Sequence, residues 1–180
     1  QNFSVTFNEP VNVSSSSFSL LQQVINPDGT LSGSSIDVSS GVTASSLDGI
    51  TWTFSVNVAG TLDRTAAGIL KNGVYQLVLH GSAITDAATG TALLNSGVDQ
   101  IASFDSVEAG GASQYFHALY GDINGNGVVN ATDYRAFQAA YGSATGDSNY
   151  VSAFDFDGSG AINATDLRKF KLTFGTGFTY

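Results

Sequence analysis

Residues 122–142 read DINGNGVVNATDYRAFQAAYG, and residues 155–175 read DFDGSGAINATDLRKFKLTFG. The second stretch follows the first by 33 residues. Asn-Ala-Thr-Asp recurs in register, as do Arg135 and Arg168, Phe137 and Phe170, and Gly142 and Gly175. Self-similarity at a fixed period marks an internal duplication. Each copy opens with alternating acids and amides and closes with an apolar pattern of helical spacing, so each reads as a loop followed by a short helix.

The loops have the chemistry of a calcium site. Calcium takes six to eight oxygens, and a 12-residue loop supplies them from positions 1, 3 and 5, a carbonyl at 7, a water held at 9 and a bidentate acid at 12. In the first loop these positions are Asp122, Asn124, Asn126, Val128, Asn130 and Asp133. In the second they are Asp155, Asp157, Ser159, Ala161, Asn163 and Asp166. Gly127 and Gly160 stand at position 6, where the chain turns sharply. Val129 and Ile162 at position 8 are the apolar residues through which paired loops are expected to meet. Loop 2 carries three carboxylates against two in loop 1, so it is expected to hold calcium more tightly, with two Ca2+ in all. Magnesium, which requires a compact octahedron, competes poorly. Without metal the crowded acids repel one another, and the unit is expected to be loose until calcium binds.

Behind the loops, Tyr134, Phe137 and Tyr141, and then Leu167, Phe170 and Phe174, fall at i, i+3, i+7 on one helical face. That spacing predicts a shared core between the two helices. Thr132 or the acid at position 12 is expected to favour the helix start.

Upstream the period changes from helical to two. Phe3, Val5 and Phe7 alternate with polar residues, and so do Ile50, Trp52, Phe54, Val56 and Val58; Tyr75, Leu77 and Leu79 recur at the same period. Further strands are expected near Phe18 to Val24, Ile36 to Val42 and Ile101 to Val107, with turns at Pro27-Asp28-Gly29 and Lys71-Asn72-Gly73. Short strands at such intervals predict an antiparallel β-sandwich. The alternation of Trp52 with Thr and Ser favours a core role over a sugar-binding platform. The fold is therefore expected to be mainly β with a small α module: a sandwich over residues 1–109, an aromatic connecting segment over 110–120 that packs the two units together, and a tandem calcium-binding unit over 121–180.

Composition excludes several functions. A formal net charge of -9 with only six Lys plus Arg argues against nucleic acid, whose phosphates demand a basic footprint. No apolar run is long enough for membrane insertion. With no Cys there is no disulfide, zinc thiolate or thiol nucleophile. G-x-S-x-G and H-E-x-x-H are absent, and neither His80, expected on a strand surface, nor His117, expected in the packing segment, has an evident catalytic partner. Glu9 and Asp63 have no spacing that singles them out as glycosidase acids. The chain is expected to be non-catalytic. Strand pattern begins within the first residues, so the chain is also expected to be a piece of a longer exported polypeptide whose signal peptide lies outside it.

Residues 121 to 175 resemble a type I dockerin domain, whose repeats carry D-x-N-x-D-G-x-x-N-x-x-D before a helix. The segments FSVTFNEPVNV, GITWTFSV and GVYQLVLHGSAITDAATG resemble bacterial immunoglobulin-like domains. Together these resemblances imply an extracellular or cell-surface module used for adhesion or anchoring, calcium holding the dockerin-like unit folded and docked on the sandwich. The alternative they imply is a true dockerin that ties a polysaccharide-degrading enzyme to a cohesin scaffold. The partner is then a cohesin-like protein or the rest of the parent chain, with polysaccharide reached only through that parent. The resemblance carries cohesin contacts over to Ala131, Thr132, Arg135, Ala164, Thr165 and Arg168. It departs from the usual Ser-Thr pair in the loops and from the basic pair at Gln138 and Ala139.

Overall fold

The computed structural model describes residues 2–56, 70–93, 100–101 and 115–178. Ten strands are present among them: β1 (Asn2–Thr6), β2 (Val11–Asn12), β3 (Phe18–Ile25), β4 (Leu31–Asp37), β5 (Val42–Ser45), β6 (Thr51–Val56), β7 (Gly73–Leu79), β8 (Thr85–Asp86), β9 (Gln100–Ile101) and β10 (Phe116–Ala118). Helices α1 (Ala131–Ala140) and α2 (Ala164–Thr173) close the chain. The protein is mainly β, and every strand pairing is antiparallel.

One sheet has the order β1-β6-β5 and another the order β10-β7-β3-β4, with β9 also on β7; β2 and β8 form a separate ribbon. Period-two alternation brings Phe3 opposite Phe54 and Val5 opposite Trp52. The apolar faces meet in one core of Phe18, Leu20, Phe54, Tyr75, Leu77 and their neighbours. Phe18 stands edge-on to Phe54 at 5.0 Å, and Phe3 reaches Phe116 of the other sheet at 5.4 Å. This face-to-face arrangement is consistent with an immunoglobulin-like sandwich. Trp52 is half-buried against that core, and its indole N–H donates to the Gly49 carbonyl at 3.0 Å.

Two strand expectations are corrected. Ile36 to Val42 is not one strand: β4 ends at Asp37, a single 3-10 turn covers Ser39–Gly41, and β5 starts at Val42 in the other sheet. Asp37 makes the break by accepting the Ser39 N–H, while the Ser39 hydroxyl oxygen accepts the Leu20 N–H at 2.8 Å. That side-chain chemistry replaces the ladder and lets the chain cross between sheets. Strand β7 is also more than half-buried, since Val74 and Gln76 on its second face are covered as well. Val58, Asp63, the Ile101 to Val107 strand beyond Ile101, and the glycine-rich hinge before Gln114 lie outside the described residues.

His80 falls just past β7 and is half-buried, with Nε2 at 2.9 Å from the Ser19 hydroxyl. Within the aromatic segment, β10 pairs with Gly73, Val74 and Tyr75 of β7, whereas Leu119 and Tyr120 enter a second core with Val129, Phe137, Phe154, Ile162 and Phe170. The switch from one core to the other occupies a single peptide bond, Ala118 to Leu119. The Tyr120 N–H donates to Asn72 Oδ1 at 2.8 Å, a further link to the start of β7.

Candidate metal centre

Loop 2 gathers its acids. Ligand oxygens of Asp155, Asp157 and Asp166 all lie within 4.8 Å of one another. Three carboxylates this close repel unless a cation or many donors compensate them. The backbone supplies part of that compensation. Asp155 accepts the N–H groups of Ser159 at 3.0 Å and Gly160 at 2.8 Å, and Asp166 accepts those of Phe156 and Asn163, both at 2.8 Å. Burial pushes the Asp155 carboxyl up, but hydrogen bonds from Tyr150, Gly160 and Ser159 outweigh it and hold the group below its ordinary value. Ser159 Oγ and Asn163 Nδ2 each lie 3.2 Å from the Ala161 carbonyl, so positions 5, 7 and 9 converge too. An all-oxygen donor set with three formal charges fits calcium.

Loop 1 repeats the geometry with fewer charges. Asp122 accepts the N–H groups of Asn126 at 3.2 Å and Gly127 at 2.8 Å, and Asn124 and Asn126 accept from Asn126 and Val128, both at 3.1 Å. Asp133 is fully buried and accepts from Ile123 at 3.1 Å and Asn130 at 2.8 Å. Here amide oxygens stand where loop 2 has Asp157 and Ser159.

The residue at position 9 starts the helix. Asn130 and Asn163 are the N-caps of α1 and α2, each accepting from the residue two places on at 2.8 Å, while Asp133 and Asp166 reach back to the N-cap amides. This capping box ties helix start to loop closure. Thr132 and Thr165 are therefore not the caps; they donate backbone N–H groups to them.

At position 8, Val129 and Ile162 are both fully buried in the second core, and their backbone groups bond elsewhere than to each other. Gly142 donates to the Ile162 carbonyl and Gly175 to the Val129 carbonyl, both at 2.8 Å, and Ile162 and Val129 donate in return to Ser143 and Thr176. Each loop is thus stitched to the turn that ends the other repeat's helix. Those turns need glycine: Tyr141 and Phe174 have φ/ψ near −60° and 130°, and Gly142 and Gly175 follow at φ 88° and 82°. That is a type II turn, which requires positive φ at its third residue.

The helical stripe is only partly core. Phe137 and Phe170 are buried with centroids 4.8 Å apart, and Tyr134 and Leu167 are half-buried. Tyr141 and Phe174, one residue past their helices, are 46% and 49% exposed, because the type II turn rotates them out of the helical face.

Sequence reasoning missed two side chains. His117 Nε2 lies 2.8 Å from Asp122 Oδ2, and the Tyr150 hydroxyl donates to Asp155 Oδ2 at 2.7 Å. The two residues are themselves 33 apart, so they hold equivalent places relative to the two loops. Between the two lead-ins lies a cleft of about 780 Å³ lined by His117, Asp122, Tyr150 and Asp155 among others. Tyr120 sends its hydroxyl beneath loop 2 to the Phe154 carbonyl at 2.7 Å; burial first, and then the charges of Asp166 and Asp155, push its pKa up.

The model of the dockerin type I domain matches residues 120–171. This C-terminal unit is dockerin-like. Domains of this family bind calcium and cohesins and typically occur in secreted or cell-surface proteins. No curated protein matches the chain. On the dockerin-like unit, Ala131, Thr132, Arg135, Ala164, Thr165 and Arg168 are all exposed, in two equivalent sets on the outer faces of α1 and α2. Among the described residues no helix is long and apolar enough to cross a membrane.

Proposed function

We propose that residues 121–180 form a non-catalytic, calcium-ordered docking module, that residues 1–109 form its scaffold, and that the module belongs to a larger secreted or surface polypeptide. The convergence of Asp155, Asp157 and Asp166 inside a loop of the dockerin-like unit carries this reading. Asp122, Asn124, Asn126, the Val128 carbonyl, Asn130 and Asp133 would hold one ion. Asp155, Asp157, Ser159, the Ala161 carbonyl, Asn163 and Asp166 would hold the other. The Asn130 and Asn163 side-chain oxygens already serve as caps, which favours a water-mediated role at position 9.

Calcium bound there would neutralise the crowded acids and lock two capping boxes at once, because Asp133 and Asp166 are both ligand and cap partner. Two helix faces then stand ready in fixed relation for a cohesin-type partner, with Thr132, Arg135, Thr165 and Arg168 as the polar contacts. Calorimetric titration of the full chain with calcium tests the metal reading: two bound ions are expected, and none in chelated protein re-titrated with magnesium at similar concentration. Binding to an immobilised cohesin domain, with and without calcium and with Thr132→Arg plus Thr165→Arg, tests the partner. No calcium-dependent retention of the wild type would refute the cohesin assignment.

The β10 pairing and the Tyr120 to Asn72 bond favour a second use, anchoring through the module's own scaffold and parent chain. In that case calcium stabilises the scaffold even where no cohesin binds.

A further inference from the structure

We propose that His117 is a positioning residue that couples the calcium site of loop 1 to the sandwich, whereas its repeat equivalent Tyr150 steadies loop 2 without that coupling; the inference rests on the calcium reading above. Both side chains stand five residues before position 1 of their loop and reach the same oxygen, Oδ2, of the first acid. In both loops that oxygen also accepts the position-6 glycine N–H at 2.8 Å. A carboxylate only accepts, so His117 donates through Nε2. Two donors on Oδ2 fix the carboxylate plane and leave Oδ1, which takes a single backbone N–H, as the oxygen with spare capacity. Hydrogen bonds of this kind orient a ligating carboxylate, and their loss costs about 10–100-fold in metal affinity.

The two donors differ in what they are fastened to. Tyr150 lies between α1 and loop 2 and packs on the second core. His117 is the middle residue of β10, paired with Val74 of β7, and its side chain is 7% exposed against 1% for Asp122. Three residues on, the Tyr120 N–H bonds Asn72 at the entry to β7. Fixing Asp122 therefore fixes β10 on β7, the strand at the centre of the larger sheet. By reciprocity, an ion that favours the docked β10 is bound more tightly when β10 is docked. Loop 1 has fewer formal charges than loop 2 but is the one whose first acid is held by a side chain of a sandwich strand; the Tyr120 hydroxyl reaches loop 2 at the Phe154 and Asp166 carbonyls and not at a carboxylate.

The only tryptophan, Trp52, lies in β6, so its fluorescence reports the sandwich while helix signal at 222 nm reports the dockerin-like unit. In the full chain, His117→Phe is expected to weaken one calcium site about 10–100-fold and to abolish the calcium-dependent rise in the Trp52 melting temperature. Tyr150→Phe is expected to weaken the other site and leave that rise intact, and His117→Gln, which keeps a donor, should restore it. In the wild type, the Val74 amide resonance should titrate with Gly127 of loop 1 and not with Gly160 of loop 2, a readout that survives if the Phe variant fails to fold. A His117→Phe protein with unchanged calcium dependence of Trp52, or a Val74 amide that stays still while Gly127 shifts, would overturn the coupling. Absence of any calcium binding by the wild type would instead overturn the metal reading beneath it.

Discussion

Replacing Asp157 and Asp166 by alanine, one at a time, separates two jobs that carboxylates do in loop 2. Asp157 is the least buried of the three acids, and its Oδ1 takes one turn bond, from the Ser159 N–H at 3.1 Å. Asp166 is fully buried and accepts the Phe156 and Asn163 N–H groups at 2.8 Å each. Asp157→Ala should therefore remove a ligand and little else. Asp166→Ala removes a ligand and also strands two amides, at about 1–3 kcal/mol each, so about 2–6 kcal/mol in total. A unit of about 60 residues has only about 3–9 kcal/mol of net stability, so that second loss is decisive. Above the dissociation constant each site adds about 1.4 kcal/mol of stability per tenfold rise in free calcium. Urea melts at 222 nm over a range of free calcium should then give a wild-type slope of about 2.8 kcal/mol per decade for two sites and about half that for either variant. The Asp157→Ala line should meet the wild type when extrapolated to low calcium, and the Asp166→Ala line should lie about 2–6 kcal/mol below it. Superimposed variant lines would refute the division of labour, and an undiminished slope in Asp157→Ala would remove that residue from the ligand set.

Gly121→Ala should lower the melting temperature without changing the calcium slope: φ is +99°, and a Cβ would sit 3.0 Å from Phe170 Cε2 and 3.1 Å from Val129 Cγ1, an overpacking that costs about 1–3 kcal/mol. Tyr120→Phe leaves the buried Phe154 carbonyl without its donor and should cost about 1–3 kcal/mol, read from the helix melt; no change would mean the bond contributes nothing. In the sandwich, the Ser39 hydroxyl and amide hold Asp37, and the Thr51 and Ile50 amides hold Asp48, below the ordinary 3.8. A depressed folded value adds stability above the unfolded value and loses it as pH falls through the lowered one, so Trp52 fluorescence should show the sandwich weakening only below about pH 3.8. Asp48→Asn should flatten that dependence.

Much of this molecule was legible where the signal is local. The alternation of Phe3 with Val5 and of Trp52 with Phe54 placed β1 and β6, because a strand shows one face every second residue. Position 6 glycines and position 12 acids placed both loops, since calcium geometry constrains residues a fixed distance apart. Strand β4 was hidden by its own composition: LSGSSID is largely exposed and has no alternation to detect. The outward turn of Tyr141 and Phe174 was hidden because helical spacing continues through residues whose backbone has already left the helix. A Tyr-Gly or Phe-Gly pair at the end of the stripe was the available clue, as glycine there signals positive φ.

The part that escaped is what the duplication does in three dimensions. Within one repeat, Gly142 looks like a helix terminator and Ile162 like a loop residue of the other copy. The hydrogen bond from the Gly142 N–H to the Ile162 carbonyl, and the matching one from Gly175 to Val129, join residues from different repeats and so leave no trace in either one alone. The exchange ties each loop to the other repeat's helix end. The upstream donors were hidden differently. His117 and Tyr150 occupy equivalent places but share no chemistry except the ability to donate one hydrogen bond, and a search for identical residues passes over them. The five-residue lead-in is where the two copies differ: Tyr150 bonds Asp155 from within the second core, whereas His117 bonds Asp122 from β10 on the sandwich.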